Sequence, residues 1–251
     1  MIAERAEDRT VLKIAGADRE TFLQGLVSRD LKPHGSGLSY AALLTPQGKY
    51  LADFFLLNCG EHILLDVKTD IAAAVARRLT MYRLRADVQI EDAELSVTRG
   101  LGVAPEGAFD DPRSPAIGWR AYGLPGAEPT IDWDALRVAH CIPETGVELI
   151  ADESYILELG FERLDGVDHR KGCYVGQEVT ARMKHKTELR KGLVRVAIDG
   201  SAAVGAEITA DGKTVGTLFT QSGGQALAYL RFDRAHGPMQ AGDAQISWTP
   251  T

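Results

Sequence analysis

Lys171-Gly172-Cys173-Tyr174-Val175-Gly176-Gln177-Glu178 sets a thiol between two glycines, with a cation two residues before it and a carboxylate five residues after it. Glycines permit backbone conformations and close approaches that a Cβ resists. A cysteine in such a loop reaches solvent, and Lys171, Arg170 and a protonated His169 would favour its thiolate. That combination suits a reactive or ligand-facing thiol. The competing reading is a small buried hydrophobe in a tight turn, the usual fate of a free cysteine. The flanking Lys-Gly and Gly-Gln-Glu favour the functional reading over it.

Outside this stretch, composition narrows the classes. The chain has 251 residues, enough for one large domain or two to three small ones sharing a core. Hydrophobic residues make up 45% and charged residues 25%, which is the balance of a soluble globular protein. The net charge of −7 argues against a nucleic-acid partner, which calls for a basic balance or a strong basic patch. No apolar run approaches the roughly 20 residues that span a bilayer, so no membrane role is expected. The acidic start Met1-Ile2-Ala3-Glu4-Arg5-Ala6-Glu7-Asp8 reads as neither signal nor transit peptide. Cys59, Cys141 and Cys173 are far apart and form no Cys-x-x-Cys pair, which disfavours a disulfide framework or a self-contained zinc site. A reducing cytoplasm is the expected location.

Periodicity gives an α+β chain. Thr10–Ile14 alternates as a strand, and Asp18 is placed to cap a helix that presents Phe22, Leu23 and Leu26 on one face. Residues 38–45 and 50–57 read as strands around the turn Pro46-Gln47-Gly48, and Ile63–Val67 as a third strand. Asp70 is expected to cap a helix running to about Arg78, with Ile71, Ala74, Val75 and Leu79 inward. Short strands are expected at 88–90, 95–98 and 117–120, and a helix opening at Asp132-Trp133-Asp134. Strand pairs alternating with single helices suggest antiparallel pairing. After Cys173 the pattern changes to short strands at 193–198, 207–209, 214–219, 226–230 and 245–248 separated by glycines, the pattern of a small antiparallel β-barrel. The expected boundary divides residues 1–190 from a barrel at 191–251.

The octapeptide resembles the signature of the YgfZ family of folate-binding proteins, which serve iron–sulfur protein maturation and belong to the superfamily of the glycine-cleavage aminomethyltransferase, the T-protein. Other segments agree in order: Val11–Gly16, Phe22–Gly25 with Asp30, Thr45–Lys49 with Asp53, Tyr82-Arg83-Leu84-Arg85, Gly118-Trp119-Arg120, Ile142-Pro143-Glu144 and Val215–Leu218. The resemblance implies a three-lobed, cloverleaf T-protein-like fold around a central folate channel, the 1–190 region forming two interleaved lobes. It implies tetrahydrofolate or a one-carbon derivative as cofactor, and iron–sulfur carrier or client proteins as partners. It implies Cys173 as the functional thiol, and Asp53, Tyr82, Arg83, Lys171, Tyr174, Gln177, Glu178 and Arg182 as folate-binding candidates.

Each candidate has a plainer reading. Asp53 either hydrogen-bonds the pterin or is a solvated strand-edge carboxylate; Tyr82 and Arg83 either line the channel or pack. Arg182, Lys184, His185, Lys186, Arg190 and Lys191 are either a solvated strand or linker or a landing site for the folate glutamate tail or an acidic partner. Arg182 is the best anion binder of these, since a guanidinium fork matches a carboxylate. Two departures count against efficient aminomethyl transfer, the alternative function. The aspartate pair of the transferases is Ala52-Asp53 here, and their pterin-binding glutamate is replaced by Ala139 in Arg137-Val138-Ala139-His140-Cys141-Ile142. An alanine side chain accepts no hydrogen bond. Glu144 lies close but is not aligned with the missing glutamate, and Cys141 reads as a packing residue. Gly223-Gly224 reads as a hairpin turn, lacking phosphate-loop spacing.

Overall fold

The computed structural model describes residues 2–31, 37–185 and 188–250. Lys186, read with the basic run, lies outside them. The chain divides into two compact units, the first comprising residues up to Ile131 together with Glu162–Val179, the second Asp132–Phe161 together with Thr180 onward.

The first unit opens with β1 (Ile2–Arg5), β2 (Arg9–Ala15) and α1 (Arg19–Gln24). It continues with β3 (Ser39–Leu44), β4 (Tyr50–Asn58), β5 (His62–Lys68), α2 (Thr69–Arg83), β6 (Gln89–Asp92), β7 (Val97–Leu101), β8 (Ala108–Asp110) and β9 (Trp119–Tyr122). The strands form two antiparallel sheets, one ordered β3-β4-β5-β2-β6, the other β1-β7-β9-β8. The larger sheet is buried on both faces, which explains why β4 and β5 read as nearly unbroken apolar runs. One face carries Leu12, Ile14, Ala41, Leu43, Ala52, Phe54, Leu56, Ile63, Leu65 and Val67, packed with Leu23 and with Val75 and Leu79 of α2.

The opposite face is polar at its centre. Asp66 is fully buried on β5 and accepts from Arg9 Nε at 2.6 Å, Arg120 at 3.1 Å and the Tyr122 hydroxyl at 3.2 Å. Arg120 and Tyr122 belong to β9, so this carboxylate ties the two sheets together. Arg120 and Arg113 also reach Asp111, at 3.3 and 2.9 Å. Burial alone would raise the Asp111 carboxyl, but Arg113 and then Arg120 hold it below the usual range. The guanidinium carbons of Arg120, Arg113 and Arg9 lie 3.9, 4.7 and 5.6 Å from the centre of the Phe55 ring.

Two local expectations need correction. Asp18 stands at the N-cap of α1, but its carboxylate makes no cap bond and accepts from Asp87 N at 2.8 Å, and Leu26 lies beyond the helix. Lys68, not Asp70, is the N-cap of α2, which runs to Arg83; Ala74 is exposed and Ala72 takes the inward place.

The second unit contains α3 (Trp133–His140), the greater part of α4 (Gln177–His185), and β10 (Lys191–Asp199), β11 (Glu207–Ala210), β12 (Lys213–Ser222), β13 (Gln225–Arg231), β14 (Met239–Ala241) and β15 (Ala244–Ser247). The helix expected to open at Asp132-Trp133-Asp134 is α3, and Asp132 caps it, accepting from Ala135 N at 2.9 Å. The six strands close into a barrel in the order β10-β13-β12-β11-β14-β15, with β15 pairing back onto β10. Gly223 and Gly224 form the β12–β13 turn with φ of +58° and +73°, the two-residue geometry that follows strand twist. Buried Glu148 accepts from Arg137 at 3.0 Å and from the Thr220 hydroxyl at 2.6 Å, fastening α3 and its following loop to β12. The basic run, read as strand or linker, is helical through His185.

Candidate functional site

The octapeptide loop belongs to the first unit, and its burial follows a plan: Lys171 and Tyr174 are buried while Gly172 and Cys173 between them are exposed. Lys171 turns inward. Its ammonium donates to the carbonyl oxygens of Gln24 and Arg29, each at 3.0 Å, and to that of Val27. These carbonyls end and follow α1, where helical acceptors lose their intrahelical partners. Burial pulls the Lys171 amine down to about 8, against the opposing charges of Asp30 and Asp168, so it remains an ammonium with three donors at pH 7. It also lies 5.0 Å from the centre of the Tyr174 ring.

This corrects the idea that Lys171 stands beside the thiol as an activating cation. Its charge is spent on the α1 end. Arg170 is the exposed cation nearest in sequence to Cys173, and exposed His169 beside it has its Nε2 3.9 Å from Glu162.

Further contacts fix the loop's flanks. Ser28 N donates to Ala42 O, the Ser28 hydroxyl donates to Gly166 O at 2.6 Å, and Asp168 N donates to Ser28 O at 3.0 Å. Val175 N reaches Gly25 O at 3.2 Å. Gly176 has φ of +85°, and a Cβ there would stand 2.6 Å from Thr45 O and 2.9 Å from Leu44 Cβ. Gly48, at the tip of the β3–β4 hairpin, meets the same segment: a Cβ on it would be 2.7 Å from Val179 Cβ. The turn Thr45–Lys49 and the loop therefore interlock through two glycines. Gly172 has an ordinary φ and open space around it.

An asymmetry between the two glycines follows. Gly176→Ala is expected to cost roughly 1–3 kcal/mol through backbone strain alone, with the clash added, while Gly172→Ala leaves stability almost unchanged. Thermal unfolding of the two variants checks it; equal melting temperatures would contradict the interlock.

Asp53 lies on β4, on the polar face of the larger sheet. It is buried, not a solvated strand-edge carboxylate, and accepts from the hydroxyls of Tyr40 at 2.9 Å and Tyr50 at 2.6 Å. Burial, reinforced by the Asp53 charge, holds the Tyr40 phenol far above its ordinary range, so it stays a donor. Neither tyrosine was singled out from sequence; their positions on facing strands, either side of the hairpin, are the signal that would have found them.

The remaining candidates scatter. Gln177 and exposed Glu178 form the first turn of α4, and exposed Arg182 lies one helical turn beyond Glu178. Cations at the C-terminal end of α4 and a carboxylate at its start both match the helix dipole. Tyr82 packs against the sheet core, and Arg83 is exposed, donating to Val88 O at 3.2 Å. Ala139 is exposed on α3, and its carbonyl accepts from Arg195 at 2.7 Å. Glu144 N donates to Glu148 at 2.9 Å. Cys141 is a left-handed C-cap with its sulfur 3.8 Å from Leu193 O, a structural place, and Cys59 is an exposed hairpin thiol pushed up by burial. Among the described residues no group of His, Cys, Asp and Glu has the arrangement of a metal site.

Residues 190–251 match the family model of the CAF17 C-terminal β-barrel domain. The chain is similar to the human protein named iron–sulfur cluster assembly factor IBA57, mitochondrial, with 30% identity over 94% of this chain and 79% of the relative. The mouse protein of the same name shares 28% identity over the same fractions. Among solved structures, the glycine cleavage system aminomethyltransferase T from Bartonella henselae superposes with a TM-score of 0.77, covering 97% of this chain and 83% of that one at 13% identity. This likeness establishes the T-protein-like fold with its C-terminal barrel. The names of the relatives overturn the cytoplasmic expectation, since both are called mitochondrial.

Proposed function

Because this chain belongs to the family of the iron–sulfur cluster assembly factor IBA57, we propose that it binds a reduced folate and presents the Cys173 thiol to iron–sulfur proteins during cluster assembly or repair. The resemblance to YgfZ pointed to a neighbouring family of the same superfamily. The observation that carries the proposal is the loop itself: an exposed cysteine beside an exposed glycine, anchored on both sides by buried Lys171 and Tyr174. A packing thiol needs no such support, whereas a thiol that must meet another protein at a fixed place does.

Thiolates are the natural ligands of iron–sulfur clusters. One thiol cannot hold a cluster, and no second cysteine adjoins it in sequence, so the receiving or donating protein completes the ligation. Cluster iron is cargo here. The loop holds the sulfur in place, and cluster transfer proceeds by exchange of ligands between Cys173 and the partner's thiolates.

The described residues fit a folate in part. Asp53 is a buried carboxylate, the kind of group that accepts from a pterin's N–H groups. Half-buried Gln177 and exposed Glu178 add polar groups, and Arg182 on the same helix suits a carboxylate. Lys171 and Tyr174 serve as anchors of the loop, and folate contacts are assigned to the other residues. The folate would supply a pterin able to carry a one-carbon unit. The T-protein-like fold favours a one-carbon transferase as the second reading, and Ala52 and Ala139 weigh against it.

Tetrahydrofolate is expected to bind in the micromolar range or weaker, since loss of one good hydrogen bond costs on the order of 1 kcal/mol, nearly tenfold in affinity. Isothermal calorimetry checks it, with Asp53→Ala expected to weaken binding further. No heat at millimolar tetrahydrofolate would remove the folate half of the proposal.

A further inference from the structure

We propose that the C-terminal end of α2 is a docking surface for an acidic, apolar-centred face of an iron–sulfur protein. The identity of the partner rests on the function proposed above; the surface itself rests on three separate observations.

The first is charge. From Ile71 to Ala86 the chain carries Arg77, Arg78, Arg83 and Arg85 and no acidic residue, within a protein of net charge −7. Arg83 is engaged with Val88 O, while Arg77, Arg78 and Arg85 enter no ion pair among the described residues. An acidic partner is repelled by most of this protein and attracted here, which orients the encounter.

The second is apolar exposure. Ala72, Val75 and Leu79 face the core, leaving Ala73, Ala74, Arg77, Thr80 and Met81 outward. Met81 is 72% exposed and Leu84 is 87% exposed, the latter the most exposed large hydrophobic among the described residues. Two apolar side chains amid guanidinium groups have the composition of an interface centre, where Met and Arg are enriched. A methionine also adapts its shape to what it meets.

The third is backbone strain. Leu84 ends α2 with φ of +48° and ψ of −104°. Glycine takes a positive φ at a helix end without steric cost, and leucine does not. Neither its backbone nor its solvated side chain gives Leu84 a role in the folded chain. Contact with a partner does, and a strained residue at a surface is an observation from which function is inferred.

A basic, apolar surface also attracts anionic lipid. A membrane-surface helix, however, needs a broad apolar face. Here the outward face offers only Met81, with Leu84 at its end, and small or polar residues elsewhere.

The test uses a cell lacking the native protein, with iron–sulfur enzyme activity as readout. Failure of the parent chain to restore activity would count against the function proposed above. With the parent active, two variants are compared at matched abundance: Leu84→Gly, and Arg77→Glu combined with Arg85→Glu. Leu84→Gly is expected to melt higher than the parent. Both variants should keep Cys173 alkylation at the parental rate and lose roughly tenfold or more of the restored activity, the scale of an interface anchor. Full activity from either variant would overturn the proposal. So would a lower melting temperature of Leu84→Gly. Sedimentation of the parent, but not the charge-reversed variant, with vesicles rich in phosphatidylglycerol would overturn it in favour of a bilayer.

Discussion

Lys171→Met is expected to lower stability by about 3–5 kcal/mol, the cost of leaving the interior carbonyls that the ammonium serves without a donor. The side chain is nearly the same length and apolar, so the change removes the ammonium while largely keeping volume. Lost with it are the bonds to Gln24, Val27 and Arg29 carbonyls, which reach across some 140 residues of sequence and tie the Cys173 loop to the end of α1. Burial offsets much of what the charge gains from these bonds, so the loss is that of the acceptors left unpaired, about 1–3 kcal/mol for each buried carbonyl. For a chain of this size, each 1 kcal/mol moves the melting temperature by about 2–4 °C, so a fall on the order of 10 °C is expected.

The same residue gives a signature in pH. Its amine is pulled from 10.5 to about 8 in the fold. Between those values the unfolded chain binds the proton and the folded chain does not, so the parent gains stability from this group as pH rises through that window. Lys171→Met lacks the gain, and the gap between the two proteins should widen from pH 8 upward. Urea unfolding at pH 7 and pH 9.5 measures both effects; coincident curves would show that Lys171 is not an anchor.

Much of the fold was legible because local rules and tertiary structure agree. Asp132 caps α3, Pro46-Gln47-Gly48 turns the β3–β4 hairpin, and Gly223-Gly224 makes the tight turn that a two-residue connection demands. Where they disagree, sequence misled. Asp18 has the chemistry of a cap but accepts instead from Asp87, brought to it by the pairing of β2 with β6. Strand β14 is three residues long, too short for a periodic signal. Helix α4 was hidden because its start coincides with the glycine loop and its end with a basic run that reads as solvated chain.

The site was legible in its chemistry and not in its orientation. The exposed thiol and the need for glycine were readable from the octapeptide, though only Gly176 turned out to need its φ. The direction of Lys171 was not, because its acceptors are backbone carbonyls distant in sequence. The burial of Asp53 was likewise hidden, since the sheet that covers its face comes from elsewhere in the unit. The Asp66 cluster could have been suspected from one signal, a carboxylate in the middle of the apolar strand Ile63–Val67.

Cys173→Ser carries the second large expected effect. Oxygen for sulfur is nearly isosteric, Cys173 is exposed, and its flanks are held by Lys171, Tyr174 and Gly176, so the variant should fold and melt within about 1 °C of the parent, as surface substitutions do. Serine ligates cluster iron poorly in place of a thiolate, so function should fall while structure stays. Cys59→Ser and Cys141→Ser are the controls, one exposed and one half-buried. The decisive measurement is the activity of iron–sulfur enzymes in a cell lacking the native protein, supplied with the parent or each serine variant at matched abundance. The account expects the parent and both controls to restore activity and Cys173→Ser to leave it at the level of the empty cell. Full restoration by a Cys173→Ser protein that folds and accumulates normally would contradict the account and leave the loop a structural element of the fold.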